Sequence, residues 1–242
     1  MFRHLSEGSL ISGFLDPAPL ASMLEPFARR TDALRAEAVG LADEWIDHPD
    51  RHLASSGWSI VPPRYFGADD AEASAAAPVL AGLLSQAPEV LTAAYMRLAP
   101  GTVLEAHRGN PIGVARCHLG LVVPEGAWLE VAGERRRWAE GCWLVFDDTA
   151  IHRAANDSPT GRIVLSLDLE HPDVEVTRWA RPVRWMSRRY YTAVRRHPRL
   201  EFALGRLAPI SALLQRAQRT TTRLAQRALS WRSTSGGDRS TR

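Results

Sequence analysis

The 242-residue chain is long enough for one large domain with a real core, and 45% of it is hydrophobic, which fits an ordinary globular protein rather than a disordered one. All 30 of its basic residues are arginine, which excludes Schiff-base and P-loop lysine chemistry; its two cysteines, Cys117 and Cys142, form no C-x-x-C pair and exclude a disulfide framework or zinc knuckle. The modest net charge of +3 divides unevenly: residues 178–242 carry 16 arginines against Glu201 and Asp238, a surplus of +14, whereas residues 1–177 sum to −11.

From the start, residues 1–25 show no basic opening followed by a long apolar run, and no segment reaches bilayer-spanning length, so a soluble, cytoplasmic protein is expected. Residues 17–46 have apolar positions at steps of three and four, from Leu20, Met23, Leu24 and Phe27 to Leu34, Ala38, Leu41 and Trp45, which predicts helices bracing a sheet. The run G-W-S-I-V-P-P-R-Y-F at 57–66 is aromatic and interrupted by proline, and predicts an edge strand entering a loop. Residues 71–86 are alanine-rich and predict a further helix.

From Val90 onward the pattern changes to short β-rich runs broken by turn residues: 91–98, 115–123, 128–131, Trp138, 143–146 and 162–169. Their even spacing predicts a barrel or sandwich. Side-chain alternation places Arg116 and His118 on one face of their strand, and Arg162, Val164, Ser166 and Asp168 on one face of theirs, with Ile163, Leu165 and Leu167 filling the other. The turn-rich run N-D-S-P-T-G at 156–161 places His152 and Arg162 on antiparallel neighbouring strands. A metal on His152 would then lie one small molecule away from a guanidinium. That arrangement suits a dicarboxylate held by the metal at one end and by a planar bidentate cation at the other. Imidazole suits divalent iron, and two histidines with an oxygen ligand and open positions mark non-haem iron oxygenases.

The pieces P-G-T-x-L-x-x-H-R-G-N-P at 100–111, R-C-H-L-G-L-V-V-P at 116–124, W-x-x-G-x-x-L-V-F-D-D at 138–148, and His152 with Arg162, occur in an order that resembles the catalytic domain of the aspartyl/asparaginyl β-hydroxylase family. The resemblance implies a mainly β, double-stranded β-helix fold of the jelly-roll or cupin kind. It also implies an iron(II)- and 2-oxoglutarate-dependent dioxygenase that uses O2 to hydroxylate an unactivated C–H bond. Position by position, it makes His107 and His152 the iron ligands and pairs Arg162 with the distal carboxylate of 2-oxoglutarate. His118 would contact the metal-proximal end, and Arg116 the substrate. The third-ligand position of most enzymes of this fold is here Gly109, leaving two histidines plus water. A hydroxyl residue that helps hold the distal carboxylate in some members falls at Met96, with Tyr95 or Ser166 as substitutes. Glu105 is a candidate replacement carboxylate, Asp147 and Asp148 read as a strand-ending turn or outer support, and Trp58 is a candidate pocket residue. His4, His48, His52, His171 and His197 read as ordinary core or surface residues.

Residues 1–177 are therefore expected to form the dioxygenase domain with its N-terminal helices, 178–232 a basic helical extension, and 233–242 a disordered tail. In the extension Leu204, Leu207, Ile210, Leu213, Leu214, Leu224 and Leu229 recur at helical spacing among arginines. That face can cap the acidic body, pair two copies in a homodimer, or lie peripherally on an anionic membrane; nucleic acid is not expected. The substrate is an acidic small molecule, an amino-acid or peptidyl residue, or a lipid acyl group. The contrasting reading is a non-catalytic β-helix scaffold with a degenerate metal site, while the absence of H-E-x-x-H counts against a zinc hydrolase.

Overall fold

The computed structural model describes residues 13–48, 53–54, 56–109, 113–174 and 180–196. The extension beyond 196, with its Leu204–Leu229 face and the 233–242 tail, lies outside the described residues. The chain divides into two compact units, Met1–Arg189 and Tyr190–Arg242.

Two helices open it, α1 (Ala21–Ala28) and α2 (Thr31–Gly40), each flanked by a short 3-10 turn, in the interval where the apolar spacing predicted helix. After β1 (Ile46–Asp47) comes β2 (Trp58–Tyr65), followed by β3 (Ala68–Asp69). Strand β2 is not the edge strand its two prolines predicted, because β1 covers one side of it and β4 (Thr92–Leu98) the other. The ladder tolerates Pro62 and Pro63 by slipping register between Val61 and Arg64, where the missing N–H groups leave no donor unpaired. The alanine-rich segment breaks into α3 (Ala71–Ala76) and α4 (Pro78–Leu84), since Pro78 cannot continue a helix but starts one well.

Seven further strands follow: β5 (Val103–His107), β6 (Ala115–Val122), β7 (Ala127–Val131), β8 (Glu134–Arg136), β9 (Trp143–Asp147), β10 (His152–Asn156) and β11 (Arg162–Leu169), before helix α5 (Ala180–Arg196). They form two sheets, a larger one in the order β1-β2-β4-β11-β6-β9 with β3 on β2, and a smaller one in the order β5-β10-β7-β8; every named pairing is antiparallel. This is the expected two-sheet jelly roll.

The alternation of β11 divides the interior. Ile163, Leu165, Leu167 and Leu169 face the helices, packing with Leu24, Phe27, Leu34 and Leu80. Val164 faces the smaller sheet, in a second core with Met96, Leu98, Leu129, Val131, Trp138, Phe146 and Ala154. Each such large aliphatic side chain contributes about 1.5–3 kcal/mol by leaving water. The helices thus stiffen one face of the large sheet, and its other face is free to line a site.

Candidate active site

Strand register brings the predicted residues together between the sheets. On β11, Ser166 and Asp168 pair with His118 and Arg116 of β6, while in the smaller sheet His152 of β10 pairs with His107 of β5. His152 and Arg162 are not on neighbouring strands as expected: β10 and β11 belong to different sheets. The turn between them is a corner rather than a hairpin. Its pivot is the buried Asn156, whose amide donates to the carbonyls of Leu98, Ala99 and Thr160.

His107 and His152 stand with ring centroids 4.1 Å apart. In each the Nδ1 lies against a backbone carbonyl, of Glu105 at 2.7 Å and Ala150 at 2.9 Å respectively. A carbonyl can only accept, so Nδ1 carries the proton and both Nε2 atoms keep their lone pairs, the tautomer a metal ligand needs. Burial pushes both imidazoles down to about 4, in His107 helped by His152 beside it, so both are neutral at physiological pH.

Against this pair lies an ion cluster. Asp148, 1% exposed, has one carboxylate oxygen 2.7 Å from Arg116 Nη1 without hydrogen-bond alignment, and 3.8 Å from His152 Nε2. Arg116 also donates from Nε and Nη2 to the two oxygens of Asp168, at 2.9 and 3.1 Å. Burial opposes the Arg116 charge, but Asp148 and Asp168 overcome this and raise its pKa. Burial pushes the Asp148 carboxyl up to about 6, against the pull of Arg116. Arg116, assigned to the substrate from sequence, is thus already held by two carboxylates of its own chain. Asp148 occupies the space beside Gly109, where a Cβ would collide with its carboxylate. The missing third-ligand side chain and the buried acid are therefore two aspects of one arrangement. Nothing local marked Asp148 as different from Asp147; the latter does form the expected turn, accepting from the backbone N and Oγ1 of Thr149 at 2.8 Å.

A second corner holds Arg162, His118 and Trp138. Arg162 is buried and has no carboxylate partner among the described residues: its Nε is unpaired, Nη1 reaches the Met96 carbonyl at 3.4 Å, and its guanidinium lies 4.5 Å over the Trp138 ring. Burial pushes the guanidinium down to about 9. His118, 6.0 Å from Trp138 and edge-on to Phe146 at 5.2 Å, has neither ring nitrogen hydrogen-bonded, and burial followed by the charges of Arg162 and Arg116 lowers its pKa well below 6.5. Buried polar groups are almost always paired, so this set of orphans marks where an anionic guest would sit.

Of the secondary candidates, Ser166 is buried on the same face as Arg162, whereas Tyr95 points the other way and donates to Glu37 at 2.7 Å, so it does not replace the hydroxyl missing at Met96. Glu105 is exposed and is no ligand in this arrangement. Trp58 is buried, stacked on His48 at 3.4 Å and 6.5 Å from His107, on the wall beside the histidine pair. Among the described residues no three His, Cys, Asp or Glu side chains form a complete metal cage. The donor set suits a metal held by two imidazoles with water and a bidentate guest in the remaining positions.

Comparison with known proteins finds relatives over part of the chain. Aspartate beta-hydroxylase domain-containing protein 2 of Mus musculus is 48% identical over 82 residues, 32% of this chain and 23% of that protein. Aspartate beta-hydroxylase domain-containing protein 1 of Homo sapiens is 45% identical over 85 residues, 34% of this chain and 22% of that protein. Ornithine lipid ester-linked acyl 2-hydroxylase of Rhizobium tropici is 36% identical over 110 residues, 44% of this chain and 39% of that protein. The matches thus span less than half of these relatives. Among solved structures, KdgF from Halomonas sp. overlaps at 16% identity with a TM-score of 0.35, over 55% of this chain and 92% of that one, which adds nothing to the strand pairing described above. The model of the Aspartyl/Asparaginyl beta-hydroxylase family matches residues 29–172, a stretch that contains both sheets' site strands and the histidine pair, and the chain belongs to that family.

Proposed function

We propose that the protein is an iron(II)- and 2-oxoglutarate-dependent hydroxylase. The observation that carries this reading is that two Nδ1-tethered histidines and an arginine with no carboxylate partner among the described residues stand buried or half-buried between the two sheets. His107 and His152 would hold the iron through Nε2, and the carboxylate of Asp148, which fills the space beside Gly109, would accept a hydrogen bond from water near the metal. Arg162 would take the distal carboxylate of 2-oxoglutarate and His118 would orient its other end. When bound, iron and the keto acid supply the oxidising power: 2-oxoglutarate and O2 give succinate and carbon dioxide as one oxygen atom enters the substrate.

The residues of the chain would do the positioning. Neutral imidazoles do not repel the cation, and Arg116 fixes the orientation of Asp148 through its bidentate grip on Asp168. Leu129, Val131, Phe146 and Trp138, buried between the sheets, would keep bulk water away from the reacting carbon. Similarity to an acyl 2-hydroxylase over 44% of the chain supports a lipid acyl group as substrate class. The test is succinate formation with iron(II), ascorbate and O2, comparing wild type with His107→Ala, His152→Ala and Arg162→Ala. Loss in all three folded variants is expected. Failure of the wild type to bind iron and 2-oxoglutarate anaerobically would instead favour the scaffold reading.

A further inference from the structure

Helix α5 has two different faces over its first ten residues. Ala180 is buried, Val183 packs with Tyr65, Phe66, Leu91 and Val114, and Arg184 reaches Glu170 at 2.7 Å; these contacts fix the helix to the body. They also account for one favourable use of basic charge, against an acidic body. They leave the opposite side unexplained. There Trp185 is 63% exposed and Met186 45% exposed, beside the exposed Arg181 and Arg189, the latter with its guanidinium 5.7 Å from the Trp185 ring. Trp185 and Met186 are the large apolar side chains that this otherwise anchored helix leaves in water.

From this face we infer that α5 docks the protein peripherally on an anionic lipid bilayer. Three observations select that occupant. Indole and thioether side chains flanked by guanidinium groups match the acyl–headgroup boundary, where apolar bodies insert and cations stay at phosphate depth. The sequence around the helix, Arg178 to Leu200, contains eight arginines and no acid, a run of one sign that a protein partner would have to match closely but a negative bilayer matches anywhere. No helix among the described residues is long and apolar enough to cross a membrane, so contact would be from the side. The inference does not depend on the reaction catalysed.

The full chain is mixed with vesicles of phosphatidylcholine alone, or of phosphatidylcholine with phosphatidylglycerol, and sedimented at low and high salt. Binding is expected only to the second, and is expected to weaken with salt. Trp185→Ser with Met186→Ser should release the protein, and Arg181→Gln with Arg189→Gln should weaken partition by about thirtyfold at low salt. Val39→Ser, at an exposed apolar position on α2, should change nothing. Quenching of tryptophan fluorescence by bromine-labelled acyl chains should fall when Trp185 is replaced by Phe. The inference is overturned if vesicle charge makes no difference, if either pair of α5 substitutions leaves binding intact, or if Val39→Ser releases the protein equally. It is also overturned if the substitutions instead abolish self-association in size-exclusion chromatography or binding to a duplex oligonucleotide, with vesicle binding absent in the wild type.

Discussion

Replacing Arg162 by Met should make the protein more stable and at the same time insensitive to 2-oxoglutarate. The guanidinium is buried without a carboxylate, and burial moves it from 12.5 to about 9. At about 1.4 kcal/mol per pH unit this is on the order of 5 kcal/mol against keeping the charge inside. The sign follows from linkage. The unfolded chain holds this proton more tightly than the folded one, so the penalty is complete below about 9 and fades as pH rises from there towards 12.5. Methionine preserves much of the volume and forfeits the contact with Trp138, about 1–2 kcal/mol. The net gain is then about 3–4 kcal/mol, a rise in melting temperature of roughly 5–15 °C for a body of this size. Calorimetry of the metal-free protein, with and without 2-oxoglutarate, measures it between pH 6 and 8. The wild type should melt lower but gain from the keto acid, and the variant should melt higher and gain nothing. A variant that melts below the wild type, or that still responds to the keto acid, would refute the assignment of Arg162 as an anion receptor kept at a cost in stability.

Adding the side chain most enzymes of this fold use as third ligand should do harm here: Gly109→Ala collides with Asp148, should cost about 1–3 kcal/mol and should weaken iron binding, and Gly109→Asp should not tighten it. Iron titration followed by thermal melting checks both, and tighter binding by a folded Gly109→Asp would sink the argument. Tyr95→Phe removes a buried donor from Glu37, which also accepts the backbone N–H groups of Val79 and Leu80 at the start of α4. It should cost about 1–2 kcal/mol in urea unfolding and leave 2-oxoglutarate affinity unchanged.

Strands β6 and β11, which carry Arg116, His118 and Arg162, are legible in the sequence because their apolar runs are long. β11 was bounded to the residue, since R-I-V-L-S-L-D-L keeps Ile163, Leu165, Leu167 and Leu169 on its helix-facing side and breaks the alternation on the other only at Val164. β5 and β10 were missed: V-L-E-A-H is mostly exposed or half-exposed, and H-R-A-A-N offers only alanine to the core, so neither has a hydrophobic period strong enough to detect. That omission produced the wrong neighbourhood for His152 and Arg162, because a turn-rich loop announces a reversal but not whether the chain returns to the same sheet. Spacing and resemblance single out the histidines and Arg162 as candidates. The link from Arg116 to Asp168 and Asp148 was not, because it depends on which strands pair and in what register, information no local window contains.

The charges of the pocket carry one further consequence. Arg116 and Arg162 are balanced by Asp148 and Asp168, and the three histidines are held neutral by burial. The pocket is therefore close to electrically neutral before anything binds. Iron(II) alone would leave two uncompensated positive charges in a buried site, and the 2-oxoglutarate dianion alone two negative ones, whereas together they restore the balance. Each should therefore improve the other's affinity, by a factor of about 5–150 for a coupling of 1–3 kcal/mol, and by the same factor in both directions. Anaerobic calorimetric titrations of each ligand, with and without saturating amounts of the other, give the two factors. Equal factors well above one are expected. Independent binding would show that the pocket makes up the charge difference from solvent, and that the pairing of Arg116 with two acids serves only to position Asp148.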